Sequence, residues 1–312
     1  MKPKVALTRT GSRAENIEAA LRLIEGDIKL AGKERLVIKV NLVSTRNQLA
    51  ATHVEGVRAL LRFLRQRYQG KITIAESSVS PAREGYLRFG YEGLVREFDV
   101  ELVDLNEGDW ETIEVYDVSL RPLRLHFSRL LAESDYRIVI GPAKTHDTVV
   151  VSLSIKNLAM GGLRFGPGEE DDKRKMHQGY PVHNLNLYLV AKAYPPHLSI
   201  IDGYLAMEGD GPLYGQPVDW GVAIASSDPV AADSLAAQLM GFSLDDIGYL
   251  WYCGQMGLGV GEMEGMEVLG VEPEECRRQF RPHHTFEAQR GWRDDRLSRL
   301  LGLASSRGRE ER

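Results

Sequence analysis

Tyr136-Arg-Ile-Val-Ile-Gly-Pro-Ala-Lys-Thr-His146 is the stretch on which the reading of this 312-residue chain turns. Its first half, Tyr136 to Ile140, is a short apolar run suited to a buried strand. Its second half turns polar at Lys144 and His146. In an open α/β sheet the residues just past a strand's carboxyl end line the ligand crevice, and basic side chains there are poorly explained by packing. Lys156, Asn157, His177 and His183 follow within forty residues, around a glycine-rich stretch. The pattern predicts a polar ligand site.

Outward from this stretch, strand-like runs recur at Val5 to Thr8, Leu36 to Val43, Ile72 to Ala75, Val100 to Val103, Leu198 to Asp202 and Gly221 to Ala225. Helical spacing alternates with them. Ser12 and Glu15 fit a capping box ahead of a face made by Ile17, Ala20, Leu21 and Ile24. Val54, Val57, Leu60, Leu61 and Leu64 give a second helix within His53 to Tyr68. Further helical patterns fall at 126–133, 182–193 and 229–240. This alternation predicts an α/β fold: a mixed, mainly parallel sheet with helices on both faces. The expected division is an α/β domain over 1–275, as one body or two closely packed lobes, and an arginine-rich C-terminal helical tail over 276–312.

Composition limits the functions open to the chain. Its 43% hydrophobic and 27% charged residues are ordinary for a globular protein, and the net charge of −5 argues against a general nucleic-acid binder. The charge is uneven: residues 277–312 hold ten Arg against five Asp or Glu. That tail is a candidate for docking a second copy in a homo-oligomer. No apolar run approaches the ~18 residues of a membrane span, and Met1 to Thr10 lacks the apolar core of a signal peptide. The expectations are no membrane partner and a cytoplasmic location. Cys253 and Cys276 lack the spacing of zinc or iron–sulfur motifs, and read as reduced and buried.

Several groups could form the site. Lys39 and Asn41 flank Val40, so their side chains should share one strand face, with Lys39 neutralising an anion and Asn41 orienting it. Thr52-His53 stands at a helix entrance, itself favourable to anions. Lys144 can hold a carboxylate or phosphate, and His146 titrates near neutrality. Lys156-Asn157 closes the apolar run from Val149 and precedes Gly161-Gly162. His177 and His183 suit a pair of acid and base groups, with metal ligation as a second reading. Asp202, Glu208 and Asp210 could take a divalent cation, pair with the lysines or bond a hydroxylated ligand. No Walker A loop and no dinucleotide-binding glycine motif occurs; Gly257-Leu-Gly-Val-Gly reads as a plain loop. Asp228-Pro229 reads as a helix cap and Asp233 as part of a solvated face.

Taken in order, Lys39-Val-Asn41, Thr52-His53, Lys144-Thr-His146, Lys156-Asn157 with Met160-Gly161, His177, Asp202-Gly203 with Glu208-Gly-Asp-Gly-Pro212, and Asp228-Pro-Val-Ala-Ala-Asp233 resemble the domain-of-unknown-function 362 family over most of residues 1–270. The resemblance implies an α/β fold and a polar site, without naming a reaction. Many members carry a ferredoxin-type cysteine module; this chain departs from them, so no iron–sulfur cluster is expected. The set of two histidines and a lysine is also loosely similar, in chemistry rather than in motif, to that of nickel-pincer lactate racemases.

The functional expectation is a cytoplasmic enzyme for a small anionic metabolite. Lys39, Lys144 and Lys156 would hold the anion, Asn41 and Asn157 would orient it, and His146 with His177 or His183 would move protons. His53, Asp202 and Asp210 complete the candidate binding set. A non-catalytic carrier of an anionic ligand or cofactor is the competing class. The stretch Gly161 to Pro181, rich in glycine and charge, is expected to be a mobile lid. Arg293 to Leu303 is expected to form an amphipathic helix, with fraying after Ala304.

Overall fold

The computed structural model describes residues 1–303. Among the described residues there are eleven strands: β1 (Lys4–Thr8), β2 (Arg35–Lys39), β3 (Lys71–Glu76), β4 (Val100–Asp104), β5 (Trp110–Tyr116), β6 (Pro122–Ser128), β7 (Tyr136–His146), β8 (Val150–Ser152), β9 (Leu198–Glu208), β10 (Gln216–Ser226) and β11 (Glu267–Gly270). Nine of them make one sheet in the order β11-β1-β10-β9-β7-β2-β3-β4, with β8 attached to β7. β4, β3, β2, β7 and β9 run parallel, while β10 pairs antiparallel with both β9 and β1. The fold is therefore α/β with a mixed, mainly parallel sheet. β5 and β6 form a separate hairpin.

Side-chain alternation along the strands builds two cores. Leu36, Ile38, Val40, Ile138 and Ile140 face the helices Arg13–Leu23 and Val54–Arg65. Val37, Val139 and Ala143 face the opposite layer, which includes Ser154–Gly161, Gly179–Ala193 and Pro229–Leu239. Burying Leu60, Leu61 and Leu64 completely contributes about 1.5–3 kcal/mol for each side chain. The Ser12–Glu15 capping box forms as its spacing predicts.

Chain direction within the sheet fixes where a ligand can bind. From β2 the chain steps outward through β3 and β4, then returns to β7 on the other side of β2 and continues to β9. The switch point lies between β2 and β7, and crevices open at the carboxyl ends of strands there. Pairing of β7 with β2 stops at Lys39–Val139, whereas β7 runs on to His146 and pairs there with β8. Lys144 and His146 are thus carried past the end of β2.

Four local expectations need correction. Residues 122–128 are strand, because Leu123, Leu125 and Phe127 alternate against the core, and only Arg129–Ala132 is helical. The stretch 161–181 is not structureless: it contains the short helix Asp172–Met176, with Asp172 and Met176 fully buried. Asp233 lies on no solvated face. It is fully buried and accepts from the amides of Ser154 and Ile155 and from the Ser154 hydroxyl. Within the expected tail, Phe280, Trp292 and Leu297 are buried in the same core as the sheet. Asp295–Leu300 is helical there, but Leu300 is exposed. The expected fraying after Ala304 lies outside the described residues.

Candidate functional site

The carboxyl ends of β2, β3 and β7 are joined by one polar network. Lys39 Nζ donates to Glu76 Oε1 at 2.6 Å, to the Val40 carbonyl at 2.6 Å and to Asn157 Oδ1 at 3.1 Å. Its three protons are thereby used, and the fully buried side chain lies behind the cavity wall. Lys39 thus bonds Asn157 from behind and does not line the cavity. Burial lowers its pKa, and Glu76 opposes that shift. A Cβ on Gly161 would lie 2.2 Å from the Lys39 amine, so glycine there lets the lysine pass beneath the helix end. Thr52 stitches the switch point, accepting from the Asn41 amide and donating to the Ile140 carbonyl.

Asn157 Oδ1 also accepts from Asn41 Nδ2 at 3.2 Å, and Asn41 Oδ1 accepts from Lys144 Nζ at 2.8 Å. Lys144 gives a second bond to the Ala50 carbonyl at 2.7 Å. These residues floor a cavity of about 240 Å³, whose walls include His146, Lys156, Lys173 and His177. Of the residues singled out in the sequence, Asn41, Lys144, His146, Lys156, Asn157 and His177 line this one space. A larger, open depression of about 460 Å³ lies by Tyr136, His197 and Pro229, at the far end of β7, and contains none of them.

The remaining sequence candidates are placed elsewhere. His53 is the N-cap of Val54–Arg65, its Nδ1 accepting from the Glu55 amide. Asp202 is buried in an ion pair with Arg13 at 2.8 Å. His183 is buried behind His177, the two rings stacked at 4.4 Å. Asp210 sits beside His283 and His284, outside the cavity wall.

Basic groups dominate the electrostatics. Lys156 is 8% exposed and has no hydrogen-bond or ion-pair partner among the described residues. Burial, followed by Lys39, brings its pKa down to about 8, with Asp147 opposing. Lys173 donates to the Met160 carbonyl and is brought to about 7, chiefly by burial. Burial and then Lys156 hold Lys144 well below the usual lysine range. His146 falls to about 3 by burial and the nearby Lys156, so its ring is neutral near pH 7. His177, at the mouth of the cavity, is lowered in the same direction.

The two cavity histidines are held differently. His177 Nδ1 lies 2.8 Å from the Lys173 carbonyl, which can only accept, so Nδ1 carries the proton and Nε2 the lone pair. His146 Nδ1 meets a donor, the Thr148 amide at 3.1 Å, and an acceptor, the Asp147 carboxylate at 3.0 Å. Either tautomer of His146 therefore has a partner. Gln289 braces this corner, bonding the His146 carbonyl and the Val150 amide. Val150 needs such support, since a β-branched residue at φ 66° is strained.

Sequence reasoning missed Glu76, Asp147, Lys173, Ser77 and Ser78 of this site. Glu76 had the same signal as Lys39, a charge closing an apolar strand. Lys173 had none, because the run from Glu169 to Lys175 reads as a solvated surface.

A thylakoid-associated protein of Synechocystis sp. is 28% identical over 300 residues, spanning 92% of this chain and 86% of its own length. The lactate racemase apoprotein from Thermoanaerobacterium thermosaccharolyticum has a TM-score of 0.48 at 14% identity, covering 77% of this chain and 57% of that one. No helix among the described residues is long and apolar enough to cross a membrane. The family model described as "Domain of unknown function (DUF362)" matches residues 36–238, more than half of the sequence, and the chain belongs to that family.

Proposed function

We propose that this protein is an enzyme that binds a small carboxylate- or phosphate-bearing metabolite in the 240 Å³ cavity and moves a proton beside the anionic group. The observation that carries the reading is Lys156: a buried amine without a protein partner, facing a cavity that Lys144 and Lys173 share. A buried ammonium is costly unless paired. An anion in this space relieves both the desolvation and the mutual repulsion of the lysines. The volume is smaller than drug-sized pockets of about 300–1,000 Å³, which favours a compact metabolite.

In this reading Lys144, Lys156 and Lys173 hold the anion, while Asn41 and the free Nδ2 of Asn157 orient it. Lys39 positions Asn157. His177 Nε2 takes a proton from the substrate, and His146 supplies or receives one on the other side. Aligned groups of this kind contribute ~10²–10⁴-fold in rate. A lid role for 161–181 belongs to the same proposal, because Lys173 and His177 both come from that stretch. So does a cytoplasmic site of action, which cell fractionation can check against the thylakoid-associated relative.

The test uses the full chain in D₂O with a panel of small 2-hydroxy and 2-oxo carboxylates. Loss of a substrate C–H signal by nuclear magnetic resonance, abolished in His177→Gln, is expected. Tight binding without exchange for every compound would leave a carrier and sink the enzymatic reading.

A further inference from the structure

Asp210, His283 and His284 lie outside the cavity, and their ligand atoms all fall within 4.8 Å of one another. His284 Nδ1 is 2.9 Å from Asp210 Oδ1, and His283 Nε2 is 3.8 Å from the same oxygen. The Thr285 hydroxyl braces the His283 ring. Its one proton goes to the Asp147 carbonyl at 2.9 Å, and it accepts from Gln289 Nε2 at 2.8 Å. His283 Nδ1 lies 2.8 Å from the same hydroxyl. The Thr285 amide also donates to Nδ1, at 3.1 Å, so the partners of Nδ1 fit either tautomer of the ring. Nε2 faces the Asp210 carboxylate, so two imidazoles and a carboxylate converge on one small space.

We propose that Asp210, His283 and His284 bind one divalent cation of the zinc class. Two imidazoles and a carboxylate are an established zinc donor set, with water as the fourth ligand. Bonds of about 2.0–2.2 Å place tetrahedral ligand atoms roughly 3.4 Å apart; the His283–Asp210 gap of 3.8 Å must narrow and the His284–Asp210 contact of 2.9 Å must widen, a movement that the exposed His284 ring can make. The contacts of His283 Nδ1 with Thr285 are of the outer-shell kind that orients a metal-bound imidazole. Harder cations such as magnesium prefer oxygen ligands and fit less well.

Such a cation would tie two segments that frame the cavity. Asp210 is two residues from Pro212, which lines it. A Cβ on Gly211 would lie 2.1 Å from the Thr145 carbonyl, so this loop is pressed against the end of β7. On the other side, Thr285 and Gln289 hold Asp147 and His146. The zinc would stabilise the corner on which His146 stands.

The test uses untagged full chain stripped with a chelator, then titrated with zinc against a chromophoric competitor. One zinc per chain and a higher melting temperature with zinc are expected, since binding to the folded state alone stabilises it. Loss of one ligand in His284→Ala or Asp210→Asn should weaken binding at least about tenfold, whereas His177→Ala, which alters the cavity, should retain it. No binding by the wild type, wild-type binding in both ligand variants, or loss confined to His177→Ala would each overturn the site.

Discussion

A buried lysine amine without a protein partner either gives up its proton or draws in an anion, and Lys156 is in that position. The consequence for stability has a definite sign. Lys156 and Lys173 titrate near 8 and 7 in the folded chain, against roughly 10.4 when unfolded. Between about pH 7 and 10 the unfolded chain holds more protons, so these groups make stability rise with pH across that window. Thermal melts of wild type and Lys156→Met from pH 7 to 9.5 should therefore converge as pH increases. The methionine variant should be more stable at pH 7, by about 1–3 kcal/mol, because it buries no charge. Equal melting temperatures at every pH would remove the buried-charge account. The same variant should bind a small anion about tenfold to a hundredfold more weakly, which is the worth of a charged hydrogen bond.

Among the elements, the helix Ser154–Gly161 carries Lys156 and Asn157, and its start is fixed from outside by Asp233. Asp233→Ala removes this cap and leaves buried amides unsatisfied, at a cost of about 1–3 kcal/mol. Chemical denaturation would measure it, and an unchanged midpoint would contradict the capping role. Asp233 illustrates how much of the site could be read from sequence. Its N-terminal neighbours Asp228-Pro229 announce their own helix, but nothing in the sequence ties Asp233 to Ser154, 79 residues earlier. The lysines and histidines at the end of β7 were legible because polarity interrupts an apolar run. Lys39 was legible as a charge closing an apolar strand, but its contacts with Glu76 and Asn157 were not. The hairpin β5–β6 was missed because short alternating runs such as Leu123, Leu125 and Phe127 compete with a helical reading of the residues that follow.

For the whole molecule, alternation of strand and helix gave the sheet and its two faces, while the antiparallel pairing of β10 with β1, far apart in the sequence, left no local trace. The same holds for the C-terminal segment, whose arginines suggested a docking tail. Trp292 and Phe280 are buried in the core, so truncation after Cys276 should cost more than the about 3–5 kcal/mol of one large aromatic, and yield little folded protein. A soluble, cooperatively melting truncation would show the segment to be dispensable. The central claim is that the lysine-lined cavity takes an anion and gains protons in doing so. Calorimetry at pH 7.5 with inorganic phosphate and malonate, each in two buffers of different ionisation enthalpy, tests it most directly. Binding of at least one anion with net proton uptake, the uptake reduced in Lys156→Met, is the expected result. Absence of binding, or binding with no proton uptake and no change in Lys156→Met, would contradict the account.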